Sequence, residues 1–389
     1  MSTRRFRSTP ERFTLIKHHP VHPNQVFQPL SPPTGQAPYR LNLEDVLMED
    51  RMHTIRTAGK LVFHTAGDTG GVHSPAAQQI VAQHLEEDLG SRQGGEKPVF
   101  FYHLGDVVYY YGEAEQYYPQ FYEPYIHYDA PIFAIPGNHD GELFENQGTS
   151  LAAFIDNFCA PTPYVTPEAG HVLRQAMTQP NVYWTLLAPY ATIIGLYTNV
   201  PEGGMLDQDQ IDWFHEEMKA ADKGKALIVA MHHPIYSGDK FHSGSVYMRD
   251  ILDEAIRQTN RIPDMVLAAH VHNYQRFTRK VKDPQGQNWD IPFLVAGAGG
   301  YFHLHYEQTL DGRVVDFGHS FSHEGVTLEC FRDNRHGFLR LEVTPHEIKG
   351  TYLTVPRPQE EWRAPAEVFD DFKVDLTTHQ VTTLKVLAS

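Results

Sequence analysis

Cysteine is almost missing from this chain: among 389 residues there are two, Cys159 and Cys330. They form no C-x-x-C pair and outline no disulfide framework, so both are expected as buried free thiols. Long apolar runs are missing too. No stretch of about 18 apolar residues occurs, so neither a transmembrane helix nor a membrane partner is expected. Positive charge is outweighed, with 32 Lys and Arg against 48 Asp and Glu, for a formal net charge of -16. An acidic chain repels a phosphate backbone unless a basic patch or bound cations intervene, so a nucleic-acid duplex is not an expected partner. Residues 1–7 are basic, but no apolar stretch of signal-peptide length follows, and the expected address is cytoplasmic. There is no internal repeat and no Gly/Ser linker.

What is present is an ordinary globular composition, 41% hydrophobic and 21% charged, enough for a sizeable core. Histidine stands out, at 24. Residues 18–38 carry Pro20, Pro23, Pro29, Pro32, Pro33 and Pro38, a density that argues for an irregular arm with solvated His18, His19 and His22. The arm is assigned to residues 1–58. From residue 60, short apolar runs recur at 61–66, 99–104, 131–135, 191–197, 226–231, 265–269 and 293–298, each sized for a buried strand. Helical patterns fall between them. One opens at Ser74-Pro75, with Ser as cap, keeps Ala77, Ile80, Val81, Leu85 and Leu89 on one face, and can end at Gly90. Others cover about 206–222 and 246–258. Strand alternating with helix predicts an α/β (α+β) layered domain over 59–355. The tail, 356–389, reads as a β-rich extension of the same domain.

The informative residues follow predicted strands, where sites in open α/β sheets collect. They are Gly67-Asp68-Thr69-Gly70, Gly105-Asp106-Val107-Val108-Tyr109, Gly137-Asn138-His139-Asp140, Val229-Ala230-Met231-His232 and Ala269-His270-Val271-His272. Asp68 and Asp106 offer anionic oxygens, Asn138 a neutral oxygen, His232, His270 and His272 nitrogens, and Tyr109 a phenolate. Mixed nitrogen and oxygen donors suit Fe, Zn or Mn better than Mg or Ca. Seven candidates exceed one tetrahedral site and match two metals that share a carboxylate. Taken singly, a Gly-Asp pair after a strand is usually a turn, and a lone strand-end His is usually structural. Five such signals in order carry the functional reading.

This ordered set resembles the calcineurin-like metallophosphoesterase superfamily. Most members open with Asp-x-His; Gly70 stands at the third position here, and Tyr109 follows Asp106 by three. That pairing is similar to the purple acid phosphatases, whose motifs are GDxG, GDxxY, GNH(D/E), VxxH and GHxH. The match covers about residues 60–300. Ala269 stands where Gly is usual and Asp140 where Glu is common, and neither change removes a donor. The resemblance implies a four-layer α/β/β/α sandwich. It also implies hydrolysis of phosphate esters, as a phosphomonoesterase, by a hydroxide activated at a dinuclear Fe(III)–M(II) centre. Asp68, Asp106, Tyr109 and His272 would hold the ferric ion. Asp106, Asn138, His232 and His270 would hold a divalent Fe, Zn or Mn, with Asp106 shared. His139 and His242 would be the catalytic histidines, contacting the phosphate or protonating the leaving group. His73 and His233 match no family ligand. Gly297-Ala298-Gly299-Gly300 resembles the turn that closes the family's core beside the metals. The expected partner is a small-molecule phosphate ester. The alternatives are a phosphodiesterase of the same superfamily acting on nucleotides or phospholipid head groups, and a non-catalytic binding protein on this fold. Degenerate members usually lose ligands, and this chain keeps all seven. About 60 Pro-rich residues precede the first motif, so the extra N-terminal β domain of the family's plant enzymes is not expected.

Overall fold

The computed structural model describes residues 16–17, 29–144, 148–199, 204–239, 241–307, 321–323 and 325–387. His18, His19 and His22 lie outside them. The strands of the two large sheets, in chain order, are β1 (Arg40–Asn42), β2 (Leu61–Ala66), β3 (Phe101–His103), β4 (Ile132–Ala134), β5 (Trp184–Leu187), β6 (Ala191–Gly195), β7 (Ala226–Ala230) and β8 (Met265–Ala268). They continue with β9 (Tyr274–Lys282), β10 (Asn288–Ala296), β11 (Phe321–His323), β12 (Val326–Arg332), β13 (Gly337–Val343), β14 (Glu347–Thr354), β15 (Glu367–Asp375) and β16 (Val381–Val386). One sheet has seven strands in the order β16-β15-β14-β13-β2-β3-β4, and the other nine, β11-β12-β9-β10-β8-β7-β6-β5-β1. β2, β3 and β4 run parallel, as do β7, β8 and β10.

Side-chain alternation explains the layers. On β2, Leu61 and Phe63 enter a core between the sheets, where they meet Ile228 and Ala230 of β7 and Leu267 of β8. Ala66 faces the other way, onto Ile80, Val81 and Leu85 of helix α2 (Ala76–Ser91). On β7, Leu227 and Val229 face outward, onto helices α3 (Gln208–Ala220) and α4 (Val246–Thr259) through Phe214, Met218, Met248 and Leu252. Strands covered on both faces read as unbroken apolar runs. Each fully buried Leu, Ile or Phe in these layers contributes about 1.5–3 kcal/mol. The result is the α/β/β/α sandwich.

Several expectations change. The N-terminal arm ends well before residue 58. β1 pairs with β5, and helix α1 (Glu49–Ala58) sends Met52 and Ile55 into the inter-sheet core beside Leu43. Arg40 forms a 2.8 Å ion pair with Glu217 of α3. Ser74 does not cap α2; Pro75 holds the cap position with helical dihedrals and no side-chain bond. Gly90 lies inside that helix. The other two helices are capped by their own side chains, Asp207 to Gln210 N at 2.9 Å and Ser245 to Met248 N at 3.2 Å. β10 begins at Asn288, earlier than its apolar half suggests. Both cysteines are buried and unpaired with each other. Among the described residues, no helix is long and apolar enough to cross a membrane.

Candidate metal centre

The carboxyl ends of β2, β3 and β4 meet those of β7 and β8, and the turns beyond them carry the candidate donors. Asp68 and Asp106 both have φ 54° and His270 has φ 66°. Non-glycine residues seldom adopt this left-handed region, at a cost of about 1–3 kcal/mol each, so the surroundings must hold them there. They do. Asp68 N donates to Gly105 O at 3.0 Å, Thr69 N to Asp106 O at 3.3 Å, and His270 N to Asp68 Oδ2 at 2.7 Å. Gly105 must be glycine: its φ is 98°, and a Cβ would stand 2.6 Å from both Gly137 N and His232 Nδ1.

The donors fall into two groups. Asp68 Oδ1 lies 3.2 Å from Tyr109 Oη and 3.6 Å from His272 Nε2, and those two are 3.5 Å apart. Asn138 Oδ1 lies 3.2 Å from His232 Nε2 and 3.0 Å from His270 Nδ1. Asp106 Oδ2 is 3.4 Å from His232 Nε2, while its Oδ1 accepts His139 N at 2.9 Å. Asp106, His232 and His270 each present a ligand atom within 4.8 Å of the others. Asp106 also acts on the first group, since burial and then the Asp106 and Asp68 carboxylates push the Tyr109 phenol well above its usual range. All seven sequence-predicted donors therefore converge.

Their tautomers follow from their outer partners. His232 Nδ1 meets Leu104 O at 2.8 Å and His272 Nδ1 meets His303 O at 3.1 Å. A carbonyl only accepts, so both Nδ1 atoms carry a hydrogen, and each Nε2 is the nitrogen that could offer a lone pair to a cation beside the carboxylates. That is the arrangement of metal-binding histidines. With protons as the only cations, burial lowers His232, but Asp106 and Asp68 outweigh it and hold it at about 9. Burial likewise pushes the Asp68 carboxyl up; His232 opposes this and Asp106 adds to it. Asp106 is held below the usual carboxylate range: burial raises it, and His232 and His139 more than offset that. Two buried acids this close to one another and to three imidazoles draw positive charge to the site, a proton on His232 in the absence of metal, and fit bound cations.

The remaining candidates are also at this centre. The His139 ring packs 4.5 Å from Tyr109, and its Nδ1 donates to Tyr110 O at 2.9 Å. The His242 ring lies 4.5 Å from His270. His233 packs 4.3 Å from His270 and bonds Thr198 Oγ1 at 2.7 Å. Asp140 holds two loops together by accepting Gly137 N at 2.8 Å and Val107 N at 3.0 Å. The Gly297–Gly300 turn is as close as expected, with a Cβ at Gly297 coming within 2.6 Å of Asp68 Oδ2. Sequence reasoning missed Tyr301 and His305, whose rings lie 4.3 and 4.6 Å from His272. They follow that glycine turn but belong to none of the five motifs.

Comparison with known proteins bears on the family and the fold. The family model described as calcineurin-like phosphoesterase matches residues 63–274, more than half of the chain. Purple acid phosphatase 21 of Arabidopsis thaliana is 26% identical over 250 residues, covering 56% of this chain and 52% of its own length. Phosphoenolpyruvate phosphatase of Allium cepa is 23% identical, covering 78% of this chain and 60% of its own length. The chain thus spans about half the length of the curated relatives it matches. Among solved structures, purple acid phosphatase PPD1 from yellow lupin has a TM-score of 0.53 at 16% identity, covering 81% of this chain and 54% of that one. GAP50, the anchor in the inner membrane complex of Plasmodium, also reaches 0.53, at 13% identity, covering 85% of this chain and 90% of that one. These two likenesses speak for the fold. With the family model and the sandwich in agreement, the protein belongs to the calcineurin-like phosphoesterase family and is similar, within it, to the purple acid phosphatases.

Proposed function

We propose that this protein is a metal-dependent phosphomonoesterase of the purple acid phosphatase kind. The observation that carries the reading is the division of the buried donors into two groups with Asp106 between them. In this reading Asp68, Tyr109 and His272 hold a ferric ion with Asp106, and Asn138, His232 and His270 hold a divalent Fe, Zn or Mn with the same Asp106. Two carboxylates and a phenolate are hard anionic donors, the set that favours a trivalent ion. When bound, the two ions supply neutralisation of the phosphoryl charge and an acidified attacking water.

The chain's own groups supply the rest. Tyr110 O fixes the His139 ring through Nδ1, so His139 Nε2 is the atom left to meet the ester. In its protonated form that nitrogen donates to the phosphate or the departing alkoxide. His242, on the other flank, is assigned a contact with the same substrate. Burial of the carboxylates keeps competing water from the donors and strengthens their field. The catalytic domain is assigned to the whole sandwich, from β1 and α1 through β15 and β16, because these elements are strands and core of the same two sheets. A purely binding role would not need all seven donors, and none is lost here.

The test is elemental analysis and a visible spectrum on untreated protein, followed by a panel of mono- and diesters. About two transition metals per chain, a visible absorption band and faster hydrolysis of monoesters are expected. A diester preference would move the protein to the phosphodiesterase reading. A well-loaded preparation that binds no transition metal would end both.

A further inference from the structure

We propose that the mouth of this centre seats a flat aromatic group on the alcohol half of the ester; the proposal rests on the phosphoesterase reading above. Two phenylalanines flank His272, each one ring away. On one side the Phe302 ring lies 4.9 Å from Tyr301, which packs 4.3 Å from His272 and 4.5 Å from Tyr109. On the other, the Phe241 ring lies 5.9 Å from His305, which packs 4.6 Å from His272. Both phenylalanines face solvent, with Phe302 41% and Phe241 63% exposed. Single exposed apolar residues are ordinary; two that each stand one ring away from the same donor, His272, are informative.

Both are also held in place. Tyr301 N donates to Asp68 O at 2.8 Å, His303 O accepts His272 Nδ1 at 3.1 Å, and His305 N donates to His272 O at 3.0 Å. These bonds stitch residues 301–305 to the centre and fix the ring between them. On the far side, the buried Asp239 carboxylate accepts Phe241 N at 2.8 Å and His242 N at 2.5 Å. The fold thus presents two exposed rings rigidly beside the donors. Tyr110 adds another on the Phe302 side, its Oη 3.3 Å from Tyr301 Oη and its ring 5.7 Å from His139. Preorganised rings bind a flat apolar partner without an ordering cost. The phosphoryl group would sit at the metals and the aromatic group against these exposed rings.

The test uses the full chain loaded with iron and zinc. Benzyl, cyclohexylmethyl and ethyl phosphates share a primary alkyl leaving group and differ in the flat ring. We expect kcat/KM for benzyl phosphate to exceed that for ethyl phosphate by about tenfold or more, with cyclohexylmethyl phosphate between them. Phe302→Ala and Phe241→Ala should each lower the benzyl-to-ethyl ratio. Leu173→Ala, at an 86% exposed leucine elsewhere on the surface, should leave it alone. Calorimetric binding of benzylphosphonate against ethylphosphonate reads the same preference without turnover. A parallel comparison of adenosine 5′-monophosphate with ribose 5-phosphate separates the sources: the same ratio there assigns the ring to a nucleotide base, and a preference confined to benzyl assigns it to a smaller aryl group. Equal constants for benzyl and ethyl esters, with hydrolysis intact, overturn the aromatic seat and leave the phosphoesterase reading standing. No turnover of any ester overturns both.

Discussion

At Gly70 a side chain has no room. A Cβ there would stand 2.5 Å from the Tyr109 ring and also collide with Gln120 Oε1. Gln120 in turn clamps the Tyr109 backbone, accepting its N–H at 3.1 Å and donating to its carbonyl at 3.0 Å. The glycine and the tyrosine are therefore one feature: the position where most of the superfamily carries a histidine is emptied so that a phenol can reach Asp68. Gly70→Ala should displace Tyr109 and cost about 1–3 kcal/mol, the usual penalty of overpacking, measured by urea unfolding. It should also weaken the visible absorption of the metal-loaded protein although the phenol remains in the chain. Tyr109→Phe should abolish that absorption while unfolding at nearly the same denaturant concentration, because the ring still fills its space. A band that survives Tyr109→Phe would remove Tyr109 from the donor set.

Helix α2 is tied to its sheet by charge as well as by packing. Asp88 on α2 lies 3.0 Å from His64 Nε2 on β2 and 2.8 Å from Arg340 Nη1 on β13. Burial draws the His64 imidazole below its ordinary 6.5, even against the pull of Asp88. Burial would raise Asp88, but its bond to His64 and the two neighbouring arginines hold it well below 3.8. Both groups take up protons more readily in the unfolded chain, so acid favours unfolding. Stability should fall as pH drops through 6.5, where unfolded His64 charges, and again below about 4, where unfolded Asp88 protonates. Asp88→Asn should cost about 3–5 kcal/mol at pH 7, as breaking a buried ion pair does, and should flatten the loss below pH 4. Urea unfolding at several pH values checks this; parallel curves for the two proteins would contradict it. The same kind of long-range pairing explains what the sequence concealed. β2, β7 and β8 were legible because both faces are apolar. β9 was not, because it carries Arg276, whose buried charge is paired with Asp370 on β15, 2.7 Å away and distant in the chain. α1 was hidden because only Met52 and Ile55 of its residues are buried. The metal-binding candidates were legible because each sits directly after a strand in a fixed motif. Tyr301 and His305 were not, because only the folded turn brings their rings to His272.

Across the whole molecule, the two sheets are joined by polar chemistry as well as by apolar packing, at Arg276 and Asp370 and, with the most donors, at the centre. Asp68, Asp106 and Asn138 hang from the seven-stranded sheet, and His232, His270 and His272 from the nine-stranded one. Cations held between them would bind the folded state and not the unfolded chain, so they would add stability by mass action. Their removal would leave Asp68 and Asp106 buried and close, with His232 and the hydrogen bonds from His270 N, Tyr109 Oη and His139 N in place of the cations. Exhaustive chelation under reducing conditions should therefore lower the melting temperature by on the order of 5 °C or more, and readdition of iron with zinc should restore it. Asp106→Asn separates the two parts of this argument. It deletes one of the repelling charges and the shared ligand together. The variant should melt below loaded wild type, at or above chelated wild type, and at the same temperature with or without chelator. Differential scanning calorimetry on the four samples reads all three relations. If chelator left wild type unmoved, the sheets would be held together without cations, and the donors between them would need another explanation.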